Sequence, residues 1–316
     1  MAEYSKTEPG YMVICGPTAC GKSALAARAA ALLGGEVVCG DSMQIYRGLE
    51  IGTAAPTEEE RALAPHHLYG FLEPSEGYSV ARYVEDARAA VLEISARGRL
   101  PIICGGTGLY IDSLCGGVNF LGAAASEQLR AEVRAEYERG GLEPLLAELE
   151  RADRDFVKTL DKNNIKRVLR AVELLRSSGI TTAGQTARSR ENGSFGRAKK
   201  FFLNPSNRAA LYERCERRVD EMLARGLLEE ARQVFEKRES YKTAAQAIGY
   251  KEFFPYFMGE SSLEECAEAL KRATRRYAKR QLTWFKRSLD AVEIDIDSNS
   301  PERALEILAK NSLESL

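Results

Sequence analysis

Apolar residues gather in short runs that alternate with helical stretches through the first third of the chain. Residues 11–15, 36–39 and 100–104 are the runs, and 24–33, 57–64 and 79–97 are the stretches between them. Thr57 and Glu60 stand at capping-box spacing, and Ser79 is placed to cap the long stretch after it. Strand and helix taking turns in this way predict a parallel sheet covered by helices. Around Phe120 the pattern turns to nearly pure helix, at 126–140 and 141–160, with few β-branched residues. This predicts a small all-helical insertion over 122–161, set in a core of 1–121 and 162–316. Further helices are predicted at 163–178, 207–226, 227–237 and 262–287. Residues 292–296 alternate as a strand does, and Ser300-Pro301 opens a last helix.

Between the first strand and the first helix lies Gly16-Pro17-Thr18-Ala19-Cys20-Gly21-Lys22-Ser23. The two outer glycines let the backbone curl with successive N–H groups pointing inward, and the helix N-terminus adds partial positive charge. Lys22 is placed to reach a terminal phosphate, and the Ser23 hydroxyl suits a Mg²⁺ shared with phosphate oxygens. A tight strand-to-helix turn would explain the glycines but not the Lys-Ser pair. The expected fold is therefore α/β, a P-loop NTPase-like parallel sheet flanked by helices. The loop leaves the reaction open, because kinases, hydrolases and transferases share it.

Composition narrows the field. At 316 residues, 44% hydrophobic and 29% charged, the chain can bury a substantial core. The N-terminal stretch is polar and no run is long enough to cross a bilayer, so a cytoplasmic protein with no membrane role is expected. Seven scattered cysteines without a C-x-x-C pair read as reduced core residues. Cys20 has a second reading, since a helix N-terminus favours its thiolate and exposes it to oxidation. His66 and His67 stand apart from other ligand types and read as surface or edge-strand residues.

A net charge of −1 gives no argument for nucleic acid from the whole chain, but the charges are segregated. From Lys271 to Arg280 there is no acid, and Arg272, Arg275, Arg276, Lys279 and Arg280 form a basic stripe at helical spacing. Tyr277, Trp284 and Phe285 are available beside it to pack or stack. Arg188, Arg190, Arg197, Lys199 and Lys200 make a second basic cluster. Either can be a solvated face or a phosphate-binding surface.

In an open α/β sheet, ligands sit beyond the carboxyl ends of the strands. Besides the phosphate loop, two segments lie there: 40–44 after the second strand and 105–110 after the strand at 101–104. Asp41 can accept a substrate proton, act through a metal-bound water, or merely cap the following turn. The Gly105-Gly106-Thr107-Gly108 run is either a second phosphate-approaching loop or a place where strand and helix pack closely.

In combination these segments are recognisable. GPTACGKS, GDSMQIYRGLEIGTAAP (40–56), PIICGGTGLYI (101–111), NNIKRVLRAVE (163–173), AIGYKEF (247–253) and TRRYAKRQLTWFKR (274–287) occur in order over nearly the whole chain. Together they resemble the bacterial tRNA dimethylallyltransferase family, also called isopentenyl-diphosphate:tRNA transferase. The resemblance implies transfer of a five-carbon group from dimethylallyl diphosphate to the exocyclic amine of the adenosine 3′ to the tRNA anticodon. Diphosphate would leave, with Mg²⁺ as helper and Ser23 as its ligand, in a monomeric enzyme partnered by the anticodon stem-loop.

Carried over residue by residue, Gly16, Pro17, Thr18, Ala19, Cys20, Gly21, Lys22 and Ser23 would hold the diphosphate or nucleotide. Asp41 would accept the amine proton, Thr107 would sit near the reacting groups, and Arg218, next to Arg217, would add positive charge at the diphosphate. Asp41, Ser42, Met43, Gln44 and Thr107 would face the tRNA. Gln44 would offer a paired donor and acceptor to the adenine edge. Lys166, Arg167, Val168, Leu169 and Arg170 match a tRNA-touching segment, and Arg275, Arg276, Lys279 and Arg280 would meet tRNA phosphates. Cys20 and Ser23 stand where the family commonly has Ser and Thr, and Asp161-Lys162 where it has His-Pro. The competing readings are an adenylate isopentenyltransferase acting on a free nucleotide, a P-loop kinase binding ATP, and a non-enzymatic RNA-binding module.

Overall fold

The computed structural model describes residues 8–116, 125–181, 183–184, 194–288 and 290–313. They fall into two compact units, one built from Met1–Cys115 with Phe195–Leu316, the other from Gly116–Ser194.

The first unit is a six-stranded, wholly parallel sheet. In chain order its strands are β1 (Gly10–Cys15), β2 (Gly35–Cys39), β3 (His66–His67), β4 (Leu100–Gly105), β5 (Arg197–Asn204) and β6 (Val292–Asp295). In space they run β3-β2-β4-β1-β5-β6. The chain leaves β1, crosses over β4 to form β2, and later returns to place β5 on the other side of β1. The order therefore reverses at β1, which opens a crevice at its carboxyl end. The crossovers include α1 (Lys22–Leu33), α2 (Glu58–Leu63), α3 (Val80–Ala96) and α4 (Gly108–Cys115).

Burial explains the near-continuous apolar runs. Met12, Ile14, Ile102 and Phe201 pack on Ala26, Ala29 and Ala30 of α1, while the alternate residues Tyr11, Val13 and Ile103 are equally buried. A parallel sheet is covered on both faces, so its strands have no polar side to show. The expected caps form: Thr57 and Glu60 make a reciprocal capping box, and Ser79 accepts from the Arg82 amide at 3.2 Å.

Some elements escaped the sequence pattern. Strand β5 opens with Arg197, Lys199 and Lys200, so its basic start hid the apolar Phe201-Phe202-Leu203 that follows. Those residues form a strand rather than a loose basic cluster, and Arg188 and Arg190 lie outside the described residues. Helix α4 begins within the glycine run, a poor helix former by propensity.

The second unit is helical: α5 (Glu127–Gly140), α6 (Glu143–Ala152), α7 (Arg154–Thr159) and α8 (Ile165–Ser178). It extends beyond the 122–161 expected from pattern, because α8 belongs to it. Val168, Ala171 and Val172 of α8 share one core with Val133, Leu145, Leu149 and Phe156. The single helix expected at 141–160 breaks at Asp153, whose carboxylate accepts from the Phe156 amide at 2.9 Å and the Thr181 hydroxyl at 2.8 Å.

The last third of the chain returns to the first unit with α9 (Arg208–Ala224), α10 (Leu227–Glu236), the short α11 (Phe254–Phe257), α12 (Leu263–Ser288) and α13 (Pro301–Leu313). Helices α9, α10 and α12 bury Val219, Met222, Leu227, Val234 and Leu270 in one cluster with Ile45, Tyr46 and Leu49. That cluster stands over the crevice and gives it an apolar wall. Among the described residues no helix is long and apolar enough to cross a membrane.

Candidate active site

The phosphate loop owes its shape to a few positions. Gly16 has φ +155°, and a Cβ there would lie 2.7 Å from the Leu203 carbonyl oxygen of β5. Gly21 is the left-handed N-cap of α1, and Ala19 also has positive φ, at 62°. A non-glycine residue in that region costs about 1–2 kcal/mol, and such strain concentrates at functional loops. Lys22 Nζ donates to the Pro17 carbonyl at 2.6 Å, which lays its charge over the loop.

A cavity of about 290 Å³ opens on this loop, lined by Thr18, Ala19, Gly21, Lys22 and Ser23 on one side and by Asp41, Ser42, Met43 and Gln44 on another. Arg218 of α9 and Thr274, Tyr277 and Gln281 of α12 complete the polar wall, while Val219, Met222, Ile248 and Leu270 form an apolar end. Gly16, Pro17 and Cys20 are not in the lining. Cys20 is instead packed in the core with Leu25 and Ala26, so its side chain lies behind the loop.

Asp41 both caps and faces the cavity. Its Oδ1 accepts from the Met43 amide at 2.9 Å. Burial raises its pKa above the ordinary carboxylate value, against the opposing pull of the Met43 and Gln44 amides and the charges of Lys22 and Arg218. A carboxylate held in this way is a better proton acceptor than one in water.

Arg218 is the cation opposite. Burial pushes its pKa down, yet among the described residues it forms no ion pair, and its Nη1 donates to Thr18 Oγ1 at 3.0 Å. A half-buried guanidinium beside an anion loop with no carboxylate of its own is arranged for an anionic ligand. Its neighbour Arg217 is well exposed, pairs with Glu221 at 3.6 Å and is not in the cavity lining, whereas Arg218 is.

The remaining expected residues divide. Thr107 accepts from the Ser42 amide at 3.0 Å and its own amide donates to Gly40 O at 3.2 Å, so it pins the Asp41 segment from outside the cavity. Gln44 Nε2 donates to Thr53 O at 3.0 Å and Ala54 O at 2.8 Å. Both its donors are taken, and it offers the cavity an acceptor only, not the donor–acceptor pair expected. The glycine run after β4 packs closely, and Gly105 and Gly106 also line the cavity: Cβ atoms at Gly105, Gly106 and Gly108 would fall 2.0 Å from Gly40 O, 2.3 Å from Gln281 Nε2 and 2.3 Å from Trp284 Cδ1.

On α12, Arg272, Arg276, Lys279 and Arg280 are exposed, but Arg275 turns inward to an ion pair with Glu216 of α9. It is spoken for within the fold. On α8, Lys166 and Arg167 are exposed, Arg170 pairs with Glu173 at 2.9 Å, and Val168 is fully buried in the helical core. Val168 cannot touch a partner, because its methyl groups are needed inside.

Several structural anchors were absent from the sequence reading. Glu230, 8% exposed, accepts from Ile51 N at 3.0 Å, Gly52 N at 2.7 Å and Tyr250 Oη at 2.8 Å. It clamps the loop whose carbonyls hold Gln44. Gln281 had a signal that could have revealed it: it is a polar residue on the apolar face of a basic amphipathic helix, between Ala278 and Phe285. Glu230 had none, since one more acid in a charged helix looks solvated.

For a divalent cation, the hydroxyl of Ser23 and the carboxylate of Asp41 are hard oxygen donors lining the same cavity. The described residues hold no cluster of three or more His, Cys, Asp or Glu able to cage a metal alone. The donor set fits an ion such as Mg²⁺ that takes its other ligands from phosphate oxygens.

Known proteins share this architecture. A tRNA dimethylallyltransferase of Bacillus licheniformis is 41% identical over 292 residues, covering 92% of each chain. One of Enterococcus faecalis is 44% identical over 287 residues, covering 89% of each. The crystal structure of a tRNA delta(2)-isopentenylpyrophosphate transferase from Staphylococcus epidermidis superposes with a TM-score of 0.70 at 34% identity, over 97% of this chain and 100% of that one. A eukaryotic dimethylallyltransferase acting on tRNA gives a TM-score of 0.81 at 28% identity, over 98% of this chain and 80% of its own. The sequence model described as IPP transferase matches residues 44–288, which run from Gln44 at the cavity to the end of α12. With that match over most of its length and the anion loop, Asp41 and Arg218 converging on one cavity, the chain belongs to the IPP transferase family.

Proposed function

We propose that this chain transfers a dimethylallyl group from dimethylallyl diphosphate to N6 of the adenosine 3′ to the anticodon of tRNA. The observation that carries this reading is that the anion loop, the carboxylate of Asp41 and the guanidinium of Arg218, which has no ion pair among the described residues, line one cavity with an apolar end. A diphosphate ester with a short hydrocarbon tail matches that distribution, and Asp41 faces the place where an acceptor amine would enter. The names of the relatives, and the exposed cations of α12, support tRNA as the acceptor.

The amine nitrogen attacks C1 of the allylic group, and the C1–O bond breaks with its electron pair leaving on the diphosphate. The N6 proton passes to the Asp41 carboxylate. No covalent bond to the protein is needed. Catalysis consists of stabilising charge on the departing oxygen, the task of the loop amides, Lys22 and Arg218. Ser23 would hold Mg²⁺ together with phosphate oxygens, and the ion when bound would neutralise charge on the diphosphate, leaving the Asp41 carboxylate free to take the proton. Gln44 Oε1 is an acceptor for the second amine hydrogen. An anticodon-loop base is poorly stacked, so drawing it into the cavity costs only about a few kcal/mol.

The test is to incubate the protein and Mg²⁺ with tRNA lacking the modification, or with AMP, and with dimethylallyl diphosphate or ATP. A tRNA nucleoside heavier by one dimethylallyl group is expected, with diphosphate released in equal amount. Prenylation of AMP in place of tRNA, or turnover of ATP in place of the prenyl donor, would overturn the reading.

A further inference from the structure

The buried face of α12 is apolar along most of its length, through Cys266, Leu270, Ala278, Leu282 and Phe285. Gln281 interrupts it. The residue is 5% exposed, yet both ends of its amide are matched: Oε1 accepts from the Thr18 amide at 2.8 Å, and Nε2 donates to the Gly106 carbonyl at 2.8 Å. Thr18 follows β1 and Gly106 follows β4, so one side chain ties together the loops on either side of the crevice. Gly106 fits this contact, since a Cβ there would stand 2.3 Å from Nε2. A leucine or methionine would fill the same volume, so packing alone does not call for an amide; a buried amide is tolerated only when donor and acceptor are both satisfied.

The tie has a direction. Because Gln281 takes the Thr18 N–H, that amide is not among the donors an anion meets. What Thr18 presents instead is its hydroxyl, which accepts from Arg218 Nη1 at 3.0 Å. The order is α12, Gln281, Thr18, Arg218, and it ends on a cation that has no carboxylate partner among the described residues. We infer that Gln281 is a positioning residue for the leaving group: through Thr18 it sets where the Arg218 guanidinium stands when the carbon–oxygen bond breaks. Preorganised charge is what this reaction depends on, and a small misplacement of such a group costs roughly a hundredfold in rate. The inference deepens the function proposed above and rests on it for the identity of the leaving group.

The experiment compares wild type, Gln281→Met, Arg218→Gln and the double variant. The readouts are kcat, KM for tRNA, inhibition by diphosphate, and the rise in unfolding temperature caused by diphosphate alone. Gln281→Met is expected to lower kcat about tenfold to a hundredfold, to weaken diphosphate inhibition, and to leave KM for tRNA within about twofold. In the Arg218→Gln background the same change should cost less than about twofold, because its route of action is already gone. Equal losses in both backgrounds, or wild-type kcat in Gln281→Met, would overturn the inference. Gly106→Ala disturbs the same contact from the other side and should give the same pattern; unchanged kinetics in that variant would also count against it. Diphosphate alone separates the two claims: a wild type that fails to prenylate tRNA refutes the proposed function. Loss of the diphosphate-induced stabilisation in Gln281→Met, with its retention in wild type, still upholds the role of Gln281.

Discussion

Under the proposed function two residues of opposite charge, Asp41 and Arg218, would carry the chemistry, and burial shifts their pKa values in opposite directions. Burial raises the pKa of Asp41, so its charged form is the one the fold disfavours. With a raised folded-state value, any stability this group contributes is present below its unfolded pKa and is lost as pH rises through the folded one. Asp41→Asn should therefore unfold at the same or a higher temperature at neutral pH while losing about 10²–10⁴ in kcat, with tRNA affinity retained. Thermal unfolding beside single-turnover kinetics checks both halves, and a destabilised but active variant refutes the assignment. In wild type, kcat/KM should fall on the acid side at a pH above the usual carboxylate range, and that limb should vanish in the variant. Arg218, whose pKa burial lowers, is a desolvated cation awaiting an anion. Diphosphate at a hundred times its Kd should stabilise wild type by about 2.7 kcal/mol and Arg218→Gln by clearly less, measured as the shift in unfolding temperature. Asp41 was legible in the sequence as a candidate and Arg218 only through resemblance. Gln281 and Glu230 were not singled out, because their partners lie far away along the chain.

At the scale of elements, α12 serves two surfaces at once. Its inner face holds the loops, and its outer face shows Arg272, Arg276, Lys279 and Arg280 to solvent. Replacing Arg276, Lys279 or Arg280 by Ala should weaken tRNA binding and lower the slope of log Kd against log salt by about 0.7–0.9 for each phosphate left unneutralised. Arg275→Ala should leave that slope unchanged, since its partner is Glu216; filter binding across a salt series decides between them. The stripe was readable from spacing, but which of its members point outward was not. Helical spacing gives a face, and only the packing of α9 against α12 says where that face begins. The same holds for α8, where Lys166 and Arg167 are exposed and Val168 is buried. Val168→Ala should cost about 2 kcal/mol through reduced burial and cavity formation, read from urea unfolding, while Lys166→Ala should cost almost nothing.

At the scale of the molecule, the two units differ in how their internal pairings are spread along the sequence. The sheet needs both ends of the chain, because β1 pairs with β5 almost two hundred residues later. The helical unit is built from neighbours, with a core of its own. A fragment of residues 116–194 should show helical circular dichroism that melts cooperatively, whereas residues 1–115, which leave β1 without β5 and lack α12, should not fold alone; a non-cooperative melt of the former would count against its independence. The strand, loop and helix order of the first hundred residues, the caps at Thr57 and Ser79, the glycine-rich loop before α1 and the family resemblance were legible in the sequence itself, because each depends on residues close together in the chain or on motifs read in order. Tertiary structure alone decided that α8 joins the helical unit, that the basic run at Arg197 opens a strand, that Gln44 has spent its donors, and that Arg218 rather than Arg217 faces the cavity. Each of these turns on which surfaces remain after distant segments have packed, and local propensity carries no record of that.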